Sequence, residues 1–145
     1  MYYLPIKTNN PFGLKQPSNG GKWDGSMSTL PNGHAIFEHE EAAVRAFLRT
    51  IWSKYDNGKD TLKIILTEYA PKSDGNKTDK YIQTIANWMS VHPTTKLVLY
   101  RSKVPTPKML EFMYALVQYE TMRHWLLNPT VVSNGQTWYL KDFVN

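Results

Sequence analysis

The chain contains no cysteine. A disulfide framework, a zinc-thiolate site and a cysteine nucleophile are thereby excluded. Long apolar runs are missing too. The opening MYYLPIKTNNPFG has no stretch fit for a signal h-region, and nothing later approaches the roughly 20 apolar residues of a membrane span. The expectation is a soluble chain with no transmembrane segment and no export signal of its own. Lys and Arg number 17 against 12 Asp and Glu, for a net charge of +5, yet they form no block, and no aromatic-basic sheet signature accompanies them. The surplus favours contact with a polyanion, and its scatter points away from nucleic acid. Metal-ligand spacing is also lacking: His34 and His39 stand five apart, His92 and His124 far from both, and HExxH does not occur. No metal and no cofactor are expected. A G-x-S-x-G elbow for a serine nucleophile is likewise missing.

What is present suits one domain, since 145 residues can bury a core but not two comfortable ones. Residues 1 to 37 are rich in Gly, Pro, Asn and Ser, and Asn9-Asn10-Pro11-Phe12-Gly13, Ser18-Asn19-Gly20-Gly21 and Pro31-Asn32-Gly33 are turn signals. They predict a loop-rich, short-stranded lobe. From Glu38 to Tyr55 the apolar Ala42, Ala43, Ala46, Phe47, Ile51 and Trp52 recur at helical spacing behind an acidic first turn. Asp60 is the expected cap of a second helix carrying Leu62, Ile65, Leu66 and Tyr69, which Pro71 ends.

After a polar linker, Lys72 to Lys77, a third helix is expected from Thr78 with Tyr81, Ile82, Ile85, Trp88 and Met89 on one face. Lys96 to Arg101 reads as a short extended piece. Thr106-Pro107 then pairs a cap with a proline at the first helical position, opening a last helix that runs to about Trp125. Asn128-Pro129 and Asn134-Gly135 punctuate a loop and turn before Trp138-Tyr139. The fold class is therefore mainly α, about four helices behind a loop-rich N-terminal lobe.

One carboxylate stands among apolar neighbours. Val117 and Leu116 lie one helical turn before Glu120 and Met113 two turns before it. Cutting a glycosidic bond needs such a carboxylic acid, kept protonated near neutral pH by an apolar pocket, to protonate the leaving oxygen. By itself a Glu late in a helix is more often a solvated surface residue.

Motif order adds to this. Asn10-Pro11-Phe12-Gly13-Leu14-Lys15 is followed by Trp23-Asp24-Gly25, by Phe37, and by a helix bearing Glu40, Ala43, Arg45 and Ala46. Then come Tyr55, Tyr69-Ala70-Pro71 and Asn76, Thr78 and Tyr81. From about residue 9 to residue 82 this order resembles phage-encoded, virion-associated murein hydrolases and lytic transglycosylases with a lysozyme-like domain. In glucosaminidases and lytic transglycosylases of the lysozyme superfamily, the helix ending in the catalytic Glu precedes the Asn-Pro loop. Here the matching segment, Ala115 to Glu120, follows it. The order reads as a circular permutation, which nearby chain termini permit. The sequence departs from the family at Thr121-Met122, where a Gly commonly follows the Glu, and at Ala43, also a common Gly.

The resemblance implies a single lysozyme-like, peptidoglycan-cleaving domain over 1 to 145, with Glu120 as general acid. It implies a place in a phage virion acting at the host periplasm and cell wall, and peptidoglycan and other virion proteins as partners. Asn10, Trp23, Tyr55, Tyr69, Tyr81 and Trp138 are the candidate substrate-binding residues, the aromatic ones because stacking faces suit sugar rings. Tyr69 and Tyr81 equally suit a core, and Asn10 equally suits holding its loop. Arg45 is expected to pair with Glu41 one turn earlier. Asp24, Glu38, Glu40, Glu41 and Glu68 are available as a second carboxylate and none stands out. That favours a transglycosylase, which needs one Glu, over a hydrolytic muramidase. The other readings are a murein endopeptidase, a non-catalytic virion or peptidoglycan-binding module, and a basic packaging protein.

Overall fold

The computed structural model describes residues 9–17 and 19–120, together with the backbone of 130–133 and 136–139. The fold is mainly α, with four α-helices and two small two-stranded sheets among the described residues. β1 (Ser26–Thr29) pairs antiparallel with β2 (Ala35–Phe37), so the loop-rich lobe carries the short strands expected of it. The register shifts between Ser26 and Ser28, and the connecting turn closes through Leu30 N–H to His34 O at 2.8 Å and Gly33 N–H to Leu30 O at 2.9 Å.

The Asn-Pro loop is tied onto this hairpin by Asn10, whose side chain is fully buried. Its Nδ2 donates to Leu14 O at 2.8 Å and Ala35 O at 2.9 Å, while Oδ1 accepts from Leu14 N at 3.0 Å. Phe12, the loop's apex, is thereby driven into the core, stacking on Phe47 at 4.3 Å between centroids. The Trp-Asp-Gly step serves close approach. A Cβ on Gly25, whose φ is +81°, would lie 2.6 Å from Ala42 Cβ. Gly25 O accepts from Glu38 N at 2.8 Å.

That bond explains why α1 spans Glu40–Asp56 rather than starting at Glu38. One face of α1, including Ala43, Ala46, Phe47 and Ile51, is buried. α2 (Leu62–Tyr69) is capped by Thr61, which accepts from Ile64 N at 3.3 Å; the expectation of Asp60 as cap is corrected. Asp60 acts through its backbone instead, its carbonyl accepting from Leu97 N–H at 2.8 Å.

The linker after Pro71 is a single 3-10 turn, Lys72–Asp74, closed by Gly75 at φ +83°. α3 (Thr78–Met89) packs between α2 and α4 (Pro107–Glu120). Thr106 opens α4 as its motif implied, accepting from Met109 N at 3.0 Å and donating to Val98 O at 2.6 Å. The 96–101 segment forms no strand. Its buried Leu97 and Leu99 alternate with exposed Val98 and Tyr100, and it rests on the helices instead of a sheet. β3 (Thr130–Ser133) and β4 (Gln136–Tyr139) pair antiparallel, with Val131 opposite Trp138. The expected extension of the last helix to Trp125 and the Asn134-Gly135 turn lie outside the described residues.

Candidate active site

Glu120 is the last described residue of α4. Met113, Leu116 and Val117 on the preceding turns are fully buried, so the helix enters the core along this face. Although part of the Glu120 side chain faces open space, its carboxyl is packed among protein atoms, and this burial raises its pKa to about 7. Tyr81, from α3, donates its hydroxyl to Glu120 Oε2 at 2.5 Å, a bond that favours the anion and only partly offsets burial.

The phenol is itself fixed. Tyr81 is 2% exposed, and its ring stacks on Tyr119 at 3.8 Å with the planes 15° apart, while Trp88 meets Tyr119 edge-on at 6.4 Å. Such aromatic pairs hold geometry as well as burying area. Burial, then the nearby Glu120 charge, pushes the Tyr119 hydroxyl upward in pKa.

In front of the carboxyl lies a cleft of about 310 Å³. Its other walls come from three turns. Lys15 follows the Asn-Pro loop, Asn32 and His34 stand on the β1–β2 turn, and Tyr69, Asp74 and Asn76 belong to the α2–α3 connection. This connection is tied down by the Asn-x-Thr-x-x-Tyr motif. Asn76 Nδ2 donates to Pro71 O at 3.1 Å, Thr78 Oγ1 donates to Ala70 O at 2.5 Å, and Tyr81 reaches Glu120. Tyr69 bridges to the first loop, its hydroxyl donating to Phe12 O at 2.5 Å; burial and then the Glu120 charge push its pKa up. Lys15 and Asp74 form an ion pair across the cleft's rim. His34 lies beside them, its pKa lowered by burial and by the Lys15 charge against the opposing pull of Asp74. Among the described residues, no cluster of three or more His, Asp or Glu stands together as a metal site.

The candidate residues thus fall into different places. Glu120 and Tyr69 line the cleft. Tyr81 stands behind the acid and is too buried to meet a sugar. Asn10 is corrected from substrate binding to loop architecture, because both Nδ2 hydrogens and Oδ1 are engaged by backbone partners and none of its surface is exposed. Trp23 is half-buried, its indole N–H donating to Lys15 O at 2.8 Å, and Tyr55 packs half-buried on the core from α1; neither lines the cleft. The side chain of Trp138 lies outside the described residues. Arg45 forms no ion pair with Glu41 among the described residues. Both line a separate groove along α1 instead.

Lys15, Asn32, His34 and Asp74 escaped sequence reasoning as site residues. Their one shared signal is a position in turn-forming loops, which is where binding groups concentrate on a rigid scaffold. No protein-family model matches the chain, and no curated protein matches it.

Proposed function

We propose that this protein cleaves the glycan strand of bacterial peptidoglycan, with Glu120 as the general acid, as a bacteriophage protein acting at the host cell wall. The observation that carries the reading is one carboxyl, carried by α4 and packed among protein atoms, with its pKa raised to about 7 and lining a polar cleft. An acid so placed is protonated over much of the range in which an ordinary carboxylate is ionised. Protonating a sugar leaving oxygen requires that state. Because Tyr81 engages Oε2, the proton belongs on Oε1, free to be given to the departing oxygen. The Asn-Pro, Trp-x-Gly, Tyr-Ala-Pro and Asn-x-Thr-x-x-Tyr elements, in the order of phage murein hydrolases, support the same substrate.

A specific observation favours a second reading, a peptidoglycan-binding module without turnover: Thr121-Met122 stands where a Gly commonly follows the acid. One experiment separates the two. Purified sacculi are incubated with the wild type and with Glu120→Gln, and soluble fragments are identified by mass spectrometry. Fragments cut in the glycan strand and reduced by about a hundredfold or more in the variant are expected. Binding of both proteins without release of fragments would establish the second reading. Cleavage confined to stem peptides would make the protein an endopeptidase.

A further inference from the structure

The cleft contains a second carboxylate. Asp74 is the last residue of the 3-10 turn after Pro71 and lines the same space as Glu120. Its position is set by backbone bonds, Asp74 N–H to Pro71 O at 3.1 Å and Gly75 N–H to Lys72 O at 2.9 Å, and by the Asn76 side chain on Pro71 O. Asp74 pairs with Lys15, and 39% of its side chain is open to water.

We propose that Asp74 is the second catalytic carboxylate of this cleft, taking a proton from the water that attacks the sugar carbon while Glu120 protonates the departing oxygen. The inference rests on the glycan-cleaving reading of Glu120. The cleft of about 310 Å³ that both carboxyls line has room for an attacking water. Inverting glycosidases hold their carboxyl pair roughly 6.5 to 9.5 Å apart so that a water fits between, whereas a covalent nucleophile stands at about 5 to 5.5 Å. A space shared by both carboxyls and large enough for water is what the inverting arrangement requires.

The other carboxylates weighed from the sequence do not line this cleft. Glu68 is held by Lys54 at 2.8 Å and Lys59 at 2.7 Å, and Glu38 and Glu41 line the groove along α1. In the step proposed, the water oxygen bonds to the anomeric carbon as the carbon's bond to the leaving oxygen breaks. One water proton passes to Asp74 and the Glu120 proton passes to the leaving group. Exchange with solvent then returns the proton from Asp74 to Glu120. The product is a reducing-end sugar of inverted configuration and no anhydro ring.

A strut between the two walls is the competing role for the Lys15–Asp74 pair, so the test needs a readout that a strut would not move. Sacculi are digested in ¹⁸O-water by the wild type, by Asp74→Ala, and by Asp74→Ala with sodium azide, after circular dichroism has checked each fold. The expected results are ¹⁸O in the reducing ends from the wild type and a loss of about a hundredfold or more in the variant. Azide should restore cleavage as a glycosyl azide whose configuration is opposite to that of the bond cut, because the small anion fills the space left by the carboxylate. Anhydro ends from the wild type, a variant within a few-fold of wild type, or a loss that azide does not restore would each overturn the role of Asp74 and leave Glu120 standing. No glycan fragments from the wild type would instead remove the reading beneath it.

Discussion

Two buried polar side chains mark two regions of this molecule, and they are satisfied in opposite ways. Asn10 in the first loop is fully covered and meets three backbone partners within 3.0 Å. Glu120, the last described residue of α4, receives one hydrogen bond among the described residues, from Tyr81, and lines a cleft. A buried polar group with every partner supplied defines a structure. One left with capacity to spare carries a cost that stability alone does not explain, and so marks a site.

The contrast is sharpened first at Asn10. Asn10→Ala strands Leu14 N and Ala35 O, each an unsatisfied buried group worth about 1 to 3 kcal/mol, while Leu14 O keeps the Ala35 N–H at 3.0 Å, so a loss of about 3 kcal/mol is expected after relaxation. Urea unfolding would show it as a lower midpoint at unchanged slope. A loss under about 1 kcal/mol would mean that the loop is held by Phe12 packing rather than by the amide.

Glu120→Gln should do the reverse. Burial raises this carboxyl, so its contribution to stability is complete below the ordinary 4.5 and is lost as pH rises through about 7. The amide cannot ionise. At pH 8 the variant should therefore exceed the wild type by up to about 3 kcal/mol, while near pH 4 the two should agree. Thermal unfolding at the two pH values measures the difference, and a variant less stable at both would show that Glu120 is a structural partner like Asn10.

Tyr81→Phe is the smallest intervention. The phenol's bond lowers the pKa of Glu120, so removing it should move the alkaline limb of the activity profile to higher pH. A limb that stays in place would mean that burial alone sets the acid.

Much of the scaffold was legible in the sequence because its signals are local. Apolar spacing located the first three of the four described helices, and Thr106-Pro107 located the start of α4, since a cap and its proline act within one turn. Thr61 displaced Asp60 as cap, and α1 began at Glu40, because Asp60 and Glu38 are engaged through their backbones with Leu97 and Gly25. Those partners are distant in sequence. The same holds for the site. Glu120 stood out by its own helix neighbours, but the cleft is assembled from three turns, and Lys15 meets Asp74 across 59 positions. Asn10 and Tyr81 resembled binding residues because a motif shows which residue types recur together, not which face they present. Two of the motif segments, the first loop and the α2–α3 connection, line the cleft, but their sequence does not separate a residue that holds the acid from one that meets a ligand.

The most direct test of Glu120 as a buried acid in a glycan-cleaving site is the rate of fragment release from sacculi between pH 5 and 9, for wild type and Glu120→Gln. The expected wild-type rate is half lost near pH 7 as the carboxyl ionises, with the variant inactive throughout. A wild-type rate that holds level to pH 9, or a Gln variant that releases the same fragments, would contradict it.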